Sequence, residues 1–245
     1  MSRVGRAARN GWSWLLDYAY VTRHQVGGLL TRDDPAGWLA GGRQPVVLLP
    51  GVYERWQFLR PLARVLHDRG HPVHVVTDLR WNTAPVVASA AVVAAYLRTH
   101  DLRDVVLVAH SKGGLIGKYA MLHEDPEGRI ARMLAVATPF GGSVYARLFW
   151  LRSVRAFSPH DPTLRALGEQ LEVNRRITSI WGAFDPHVPG GSRLEGATNV
   201  PLRTSGHFRL LGRDELLDAV VEALTPRPTD PRAPVPPGAP RSRRS

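Results

Sequence analysis

The chain reads as an α/β protein with a mostly parallel central sheet and helices on both faces. Three observations predict this. Short apolar runs alternate with stretches of helical spacing along most of the chain. The run at 45–50, "PVVLLP", lacks the polar alternation of a strand with one wet face, as expected where helices cover both sides. Residue types that do chemistry then follow the ends of the runs, where sheets of this kind collect their sites.

The elements follow in order from residue 45. "PVVLLP" (45–50) is the first strand. Leu59, Leu62, Val65 and Leu66 then fall on one helical face, and Gly70 stands where a helix commonly ends in a left-handed residue. "PVHVVT" (72–77) is a second strand, "PVVASAAVVAAYLRTH" (85–100) a second helix and "DVVLVA" (104–109) a third strand. "ARMLAVAT" (131–138), "RITSIWG" (176–182) and "NVPLRT" (199–204) supply three more strands. "RDELLDAVVEAL" (213–224) is the last helix. The strand-end rule selects the loops after Leu49, Ala109, Thr138, Trp181 and Thr204.

Composition narrows the function. The 245 residues include no Cys, which excludes a disulfide framework, a thiolate zinc site and a cysteine nucleophile. No repeat period is visible, and 44% hydrophobic residues is ordinary for a globular chain. The net charge of +11 is concentrated at the ends: residues 1–32 and 225–245 each carry +4, leaving +3 for residues 33–224. Basic ends can approach anionic lipid or nucleic acid by charge alone, or be no more than solvated tails; peripheral membrane contact is the expectation beside that plain reading, and nucleic acid is not expected as a partner. Three parts are expected: an N-terminal helical extension (1–44), a catalytic domain (45–224) and a disordered Pro/Arg-rich tail (225–245). Arg3, Arg6 and Arg9 look like the basic start of a signal peptide. Asp17, however, interrupts the apolar run, which is also far short of the roughly 20 apolar residues a spanning helix needs. An aromatic helix packed on the body is expected there, with the membrane surface as the alternative, and the location is expected to be cytoplasmic.

"AHSKGGLIGK" (109–118) raises two readings. A phosphate-binding loop fails on register, because Lys118 is followed by Tyr119 and the required upstream Gly position holds Lys112. A nucleophile elbow fits: Ser111 would sit on a tight strand-to-helix turn that requires small residues two before and two after, here Ala109 and Gly113. A Ser that merely caps the helix is the competing reading of the motif alone. Asp185 in "GAFDPHVP" and His207 in "TSGHFRLLG" shift the balance. The order Ser111, Asp185, His207 is the chain order of the triad in this topology, with His207 as proton shuttle and Asp185 as its orienting acid. Asp161, Asp214 and Asp218 are less suitable acids by position. His187 lies too near Asp185 in sequence to be oriented by it, and His71, His74 and His110 read as packing or surface groups. The loop at Pro50–Tyr53 would supply the Val52 amide, and the elbow the Lys112 amide, to hold an oxyanion. No cofactor and no metal is expected.

With these motifs assembled, residues 45–224 resemble the α/β-hydrolase superfamily of the bacterial lipase and esterase type. The resemblance rests on "LPGV", "AHSKGG", "ATPFGGS" (137–143), "GAFDPHVP" and "SGHFRLL". Pro50 stands where many relatives have His, Ala109 replaces the first Gly of the elbow, and Phe140 replaces a His. The resemblance implies a small helical cap at about 143–175. Its "SVYARLFWLRSVRAF" offers an apolar face that would suit acyl chains, or would serve as the cap's own core. Tyr53, Phe140, Leu148, Phe149 and Trp150 are the expected substrate-binding residues. Only Glu195 adds an acid between Asp185 and His207, so the calcium site of some lipases is not expected. The resulting expectation is a serine ester hydrolase taking a small-molecule acyl ester or lipid. Its alternatives are an acyltransferase with an alcohol acceptor and a non-catalytic lipid- or small-molecule-binding module.

Overall fold

The computed structural model describes residues 11, 14–22, 34–143 and 157–225. Helix α1 covers residues 14–22. Six strands follow: β1 (Val46–Leu49), β2 (Val73–Val75), β3 (Val105–His110), β4 (Ile130–Val136), β5 (Ile177–Gly182) and β6 (Thr198–Leu202). Between and after them lie α2 (Arg60–Asp68), α3 (Val86–Thr99), α4 (Lys112–Tyr119), α5 (Pro162–Glu169) and α6 (Asp214–Leu224).

The sheet order is β2-β1-β3-β4-β5-β6, and every pairing is parallel. All six expected strands form. The second is shorter than its apolar run, because Thr77–Leu79 turn into a 3-10 helix.

Side-chain alternation divides the core into two halves. Val47, Leu49, Leu107, Ala109, Met133 and Ala135 point to the face covered by Ala90, Val93 and Leu97 of α3 and by Leu115 and Ile116 of α4. Val46, Leu48, Val106, Val108, Leu134 and Val136 point to the other face, under Leu62 and Leu66 of α2 and Leu216 and Val220 of α6. Both faces are dry, which is why these strands carry no polar alternation. Tyr20 and Val21 of α1 pack against the second half.

The order reverses direction between β1 and β3, and a crevice opens at such a switch point beyond the strand ends. Non-glycine residues with positive φ gather on that rim: Tyr53, Arg80, Asn82, Ser111 and Ala137. Each is a conformation that costs of order 1–3 kcal/mol and persists only where the surroundings enforce it.

In the segment expected as a cap, residues 144–156 lie outside the described residues. Beyond it, α5 is capped by Asp161, whose carboxylate accepts from the Thr163 and Leu164 amides, and it packs on α4. That structural duty accounts for one of the rival acids. The 226–245 part of the tail and most of the N-terminal extension also lie outside the described residues. No helix among the described residues is long and apolar enough to cross a membrane.

Candidate active site

Ser111 stands between the last residue of β3 and the first of α4, at φ 50° and ψ −118°. The chain can turn this sharply because the next turn of helix lies directly on neighbouring backbone and side chains. A methyl group on Gly113 would run into the Leu49 carbonyl, one on Gly114 into Thr138, and one on Gly117 into the Met133 sulfur. The residue two before the serine is less constrained. Ala109 sits inside β3 between Leu49 and Ala135, where its single methyl is absorbed by the core.

The Ser111 hydroxyl donates to His207 Nε2 at 3.0 Å, and His207 Nδ1–H donates to Asp185 Oδ2 at 2.7 Å. The second carboxylate oxygen of Asp185 accepts from the amides of His187 and Val188 at 2.8 and 2.9 Å. All three side chains are buried. Burial works against the charged form of His207. The adjacent Asp185 carboxylate, helped by its hydrogen bond and by Asp17 and Glu54, outweighs burial and raises the imidazole above its ordinary pKa. Burial likewise works against ionised Asp185, but His207 and the two amides hold it below the usual carboxylate range. Both shifts favour the same state, an imidazolium beside a carboxylate.

The loop after β1 lies beside the elbow. The Gly51 amide donates to Glu54 Oε2 at 2.7 Å and the Tyr53 amide to the Trp81 carbonyl at 2.8 Å. Between them, the Val52 amide has no acceptor among the described residues, and neither does the Lys112 amide at the start of α4. The Lys112 side chain turns away from the site. Its buried ammonium donates to the carbonyls of Asn82, at 2.7 Å, and Ala84, and burial pushes its pKa down to about 8. Asn82 in turn donates to the Pro50 carbonyl at 2.7 Å, so this lysine ties the elbow to the loops after β1 and β2. Next to that loop is a cavity of about 310 Å³ whose walls include Pro50, Trp56, Val76, Arg55, Arg80 and Trp81.

Of the residues expected to touch substrate, Tyr53 is partly exposed in this loop, while Phe140 is packed in the core. Leu148, Phe149 and Trp150 lie outside the described residues. His110 differs from its reading as a packing or surface group. It is fully buried, with Nδ1 bonded to Glu54 at 2.9 Å and Nε2 donating to the His207 carbonyl at 3.2 Å. His187 stands closer to the site than its sequence position implied, with its ring 4.9 Å from that of His207. Burial above all, then the neighbouring His207, pushes its pKa down to about 3, so it is neutral at ordinary pH.

The roles of two acids were missed in the sequence. Glu54 gave no signal beyond its nearness to the loop. Asp17 did give one: a lone carboxylate in an aromatic, apolar stretch needs polar partners if that stretch is buried. Its carboxylate accepts from the amides of His207, Phe208 and Arg209.

Among the described residues, the ligand atoms of Asp185, His187 and His207 come within 4.8 Å of one another, close enough to hold a metal ion. Two of the three are already spent on the Asp185–His207 hydrogen bond.

No protein-family model matches the chain, and no curated protein matches it. Solved structures do. The mature lipase BlEst2 of Bacillus licheniformis is 19% identical with a TM-score of 0.63, over 79% of this chain and all of that one. An extracellular α/β-hydrolase from a Paenibacillus species is 16% identical at 0.52, over 74% of this chain and 98% of that one. The enol-lactonase of Burkholderia xenovorans LB400 is also 16% identical at 0.52, over 75% and 92%. At such identities the likeness is one of architecture, and it agrees with the parallel six-stranded sheet and the serine at its elbow: the chain has the α/β-hydrolase fold.

Proposed function

We propose that the chain is a serine carboxylic-ester hydrolase of the lipase or esterase type, cleaving apolar acyl esters through an acyl-enzyme. The observation that carries this reading is the unbroken hydrogen-bonded series Ser111–His207–Asp185, with the hydroxyl on a strained turn at the sheet's switch point. In this reading His207 takes the Ser111 proton as Oγ attacks the ester carbonyl, and Asp185 stabilises the imidazolium that forms. The carbonyl oxygen gains negative charge, which the Val52 and Lys112 amides would receive, since neither is committed elsewhere among the described residues. His207 then returns the proton to the departing alcohol. Water, activated by the same imidazole, attacks the acyl-enzyme and releases the acid and Ser111. The cavity beside the Pro50 loop, partly walled by Trp56 and Val76, supports an apolar subsite at this end of the sheet.

A fluorophosphonate probe should label the wild-type protein and leave Ser111→Ala unlabelled. Medium-chain p-nitrophenyl esters should be hydrolysed faster than the acetate. Labelling that survives in Ser111→Ala would transfer the nucleophile elsewhere, and labelling without turnover of any ester would favour an acyltransferase.

A further inference from the structure

We propose that Asp17, on the N-terminal helix, is a positioning residue for His207: its buried carboxylate gathers the amides of residues 207–209 and thereby fixes the loop that aims the imidazole at Ser111. The inference rests on the hydrolase reading above.

The carboxylate has no exposure to solvent, and its main partners are three successive backbone amides. His207 N–H lies 3.1 Å from both oxygens, and those of Phe208 and Arg209 lie 2.9 Å from Oδ1. Consecutive amides pointing inward form a concave anion site, and a buried carboxylate is tolerated there because its lone pairs are satisfied. The loop is shaped to admit it. Gly206 takes φ +123°, and a Cβ there would lie 3.0 Å from Asp17 Oδ1 and 2.6 Å from the Arg209 side chain.

The rest of α1 presses on the same spot. The Trp14 and Tyr18 rings lie 5.0 and 5.7 Å from the His187 ring, and the Tyr18 hydroxyl is 3.2 Å from His187 Nε2. Asp17 therefore holds the backbone nitrogen of His207, while His110, backed by Glu54, holds its carbonyl oxygen. A residue anchored through both of its flanking peptide groups has little freedom to swing its ring away from Ser111.

Charge gives Asp17 a second effect that a purely structural anchor would lack. The groups facing His207 are Asp185 and His187 from the loop after β5, His110 with Glu54 from the β3 and β1 side, and Asp17 from α1. Asp17 is one of the carboxylates that favour the protonated imidazole.

The test uses full-length protein and compares Asp17→Asn, which keeps the shape, with Asp17→Glu, which keeps the charge but displaces it. Asp17→Asn should lower kcat about 10- to 100-fold with KM unchanged. It should also move the acid limb of kcat/KM to lower pH, since the base loses a stabilising negative charge. Asp17→Glu should lower kcat while leaving the acid limb near its wild-type position, and it carries the test if Asp17→Asn fails to fold. A folded Asp17→Asn protein with wild-type kcat and an unmoved acid limb would overturn the proposal. So would activity losses that only track the loss of folded protein, with no change in the limb. A wild-type protein that neither reacts with fluorophosphonate nor turns over esters would overturn the hydrolase reading instead.

Discussion

Ser111 and His207 lie 3.0 Å apart, yet the molecule holds them by opposite means. The serine is positioned by its own neighbourhood. The strand before it, the helix after it and the glycines behind it force one conformation, and the packing partners of those glycines come from adjacent strands. The histidine sits on a loop with little regular structure, five residues past the end of β6. It is fixed by side chains remote in sequence: Asp17, 190 residues earlier, and His110, 97 residues earlier. A strained serine can thus be held by close packing around it, whereas a histidine on an irregular loop needs polar anchors brought in by the fold. The loops carrying His207 and Asp185 are also joined directly, through Ala183 N–H to the Thr204 carbonyl and Gly206 N–H to the Phe184 carbonyl.

The sharpest way to break the histidine side is at Asp185, the proposed orienting acid. Asp185→Asn should retain the fold and lose about 10⁴ in kcat, because an amide favours the wrong tautomer of His207. Steady-state kinetics on a p-nitrophenyl ester measures this, and near-normal turnover would reassign the acid. Next comes the remote anchor. Glu54→Gln removes the charge from a buried pair that also receives the Gly51 amide, and it should cost about 3–5 kcal/mol in urea unfolding together with a fall in kcat. The serine side should respond more locally. Gly113→Ala forces a methyl against the Leu49 carbonyl and should cost about 1–3 kcal/mol, with slower fluorophosphonate labelling. A Glu54→Gln protein as stable and as active as wild type would remove the contrast between the two sides.

The smallest effect concerns pH. As the proposed base His207 must be unprotonated, and its pKa is raised above 6.5, so kcat/KM should fall as pH drops through a midpoint above 6.5. His187, held near 3, stays neutral throughout and should add no limb between pH 5 and 8. A midpoint below 6.5, or a limb that disappears in His187→Gln, would show that the wrong imidazole had been assigned.

The legible parts of the molecule share a physical basis. Six runs became six parallel strands, and the central β1 and β3 are buried throughout, because strands covered on both faces must be apolar. The elbow was legible because close packing behind Ser111 demands glycine, and Ala109 passed because a methyl fits inside β3. Asp185 and His207 were legible from chain order and their places just past strand ends. His110 and Glu54 were not, since nothing local distinguishes a buried His bonded to Glu from one that merely packs.

The sequence alone therefore determined the layered α/β architecture, the turn at Ser111 and the identity of three side chains that meet there, because periodicity and steric demand are local properties. Only the tertiary structure decided what holds His207 in place. Asp17, Glu54 and His110 act through hydrogen bonds whose partners are backbone groups or distant side chains, and a backbone amide leaves no trace in the residue it belongs to.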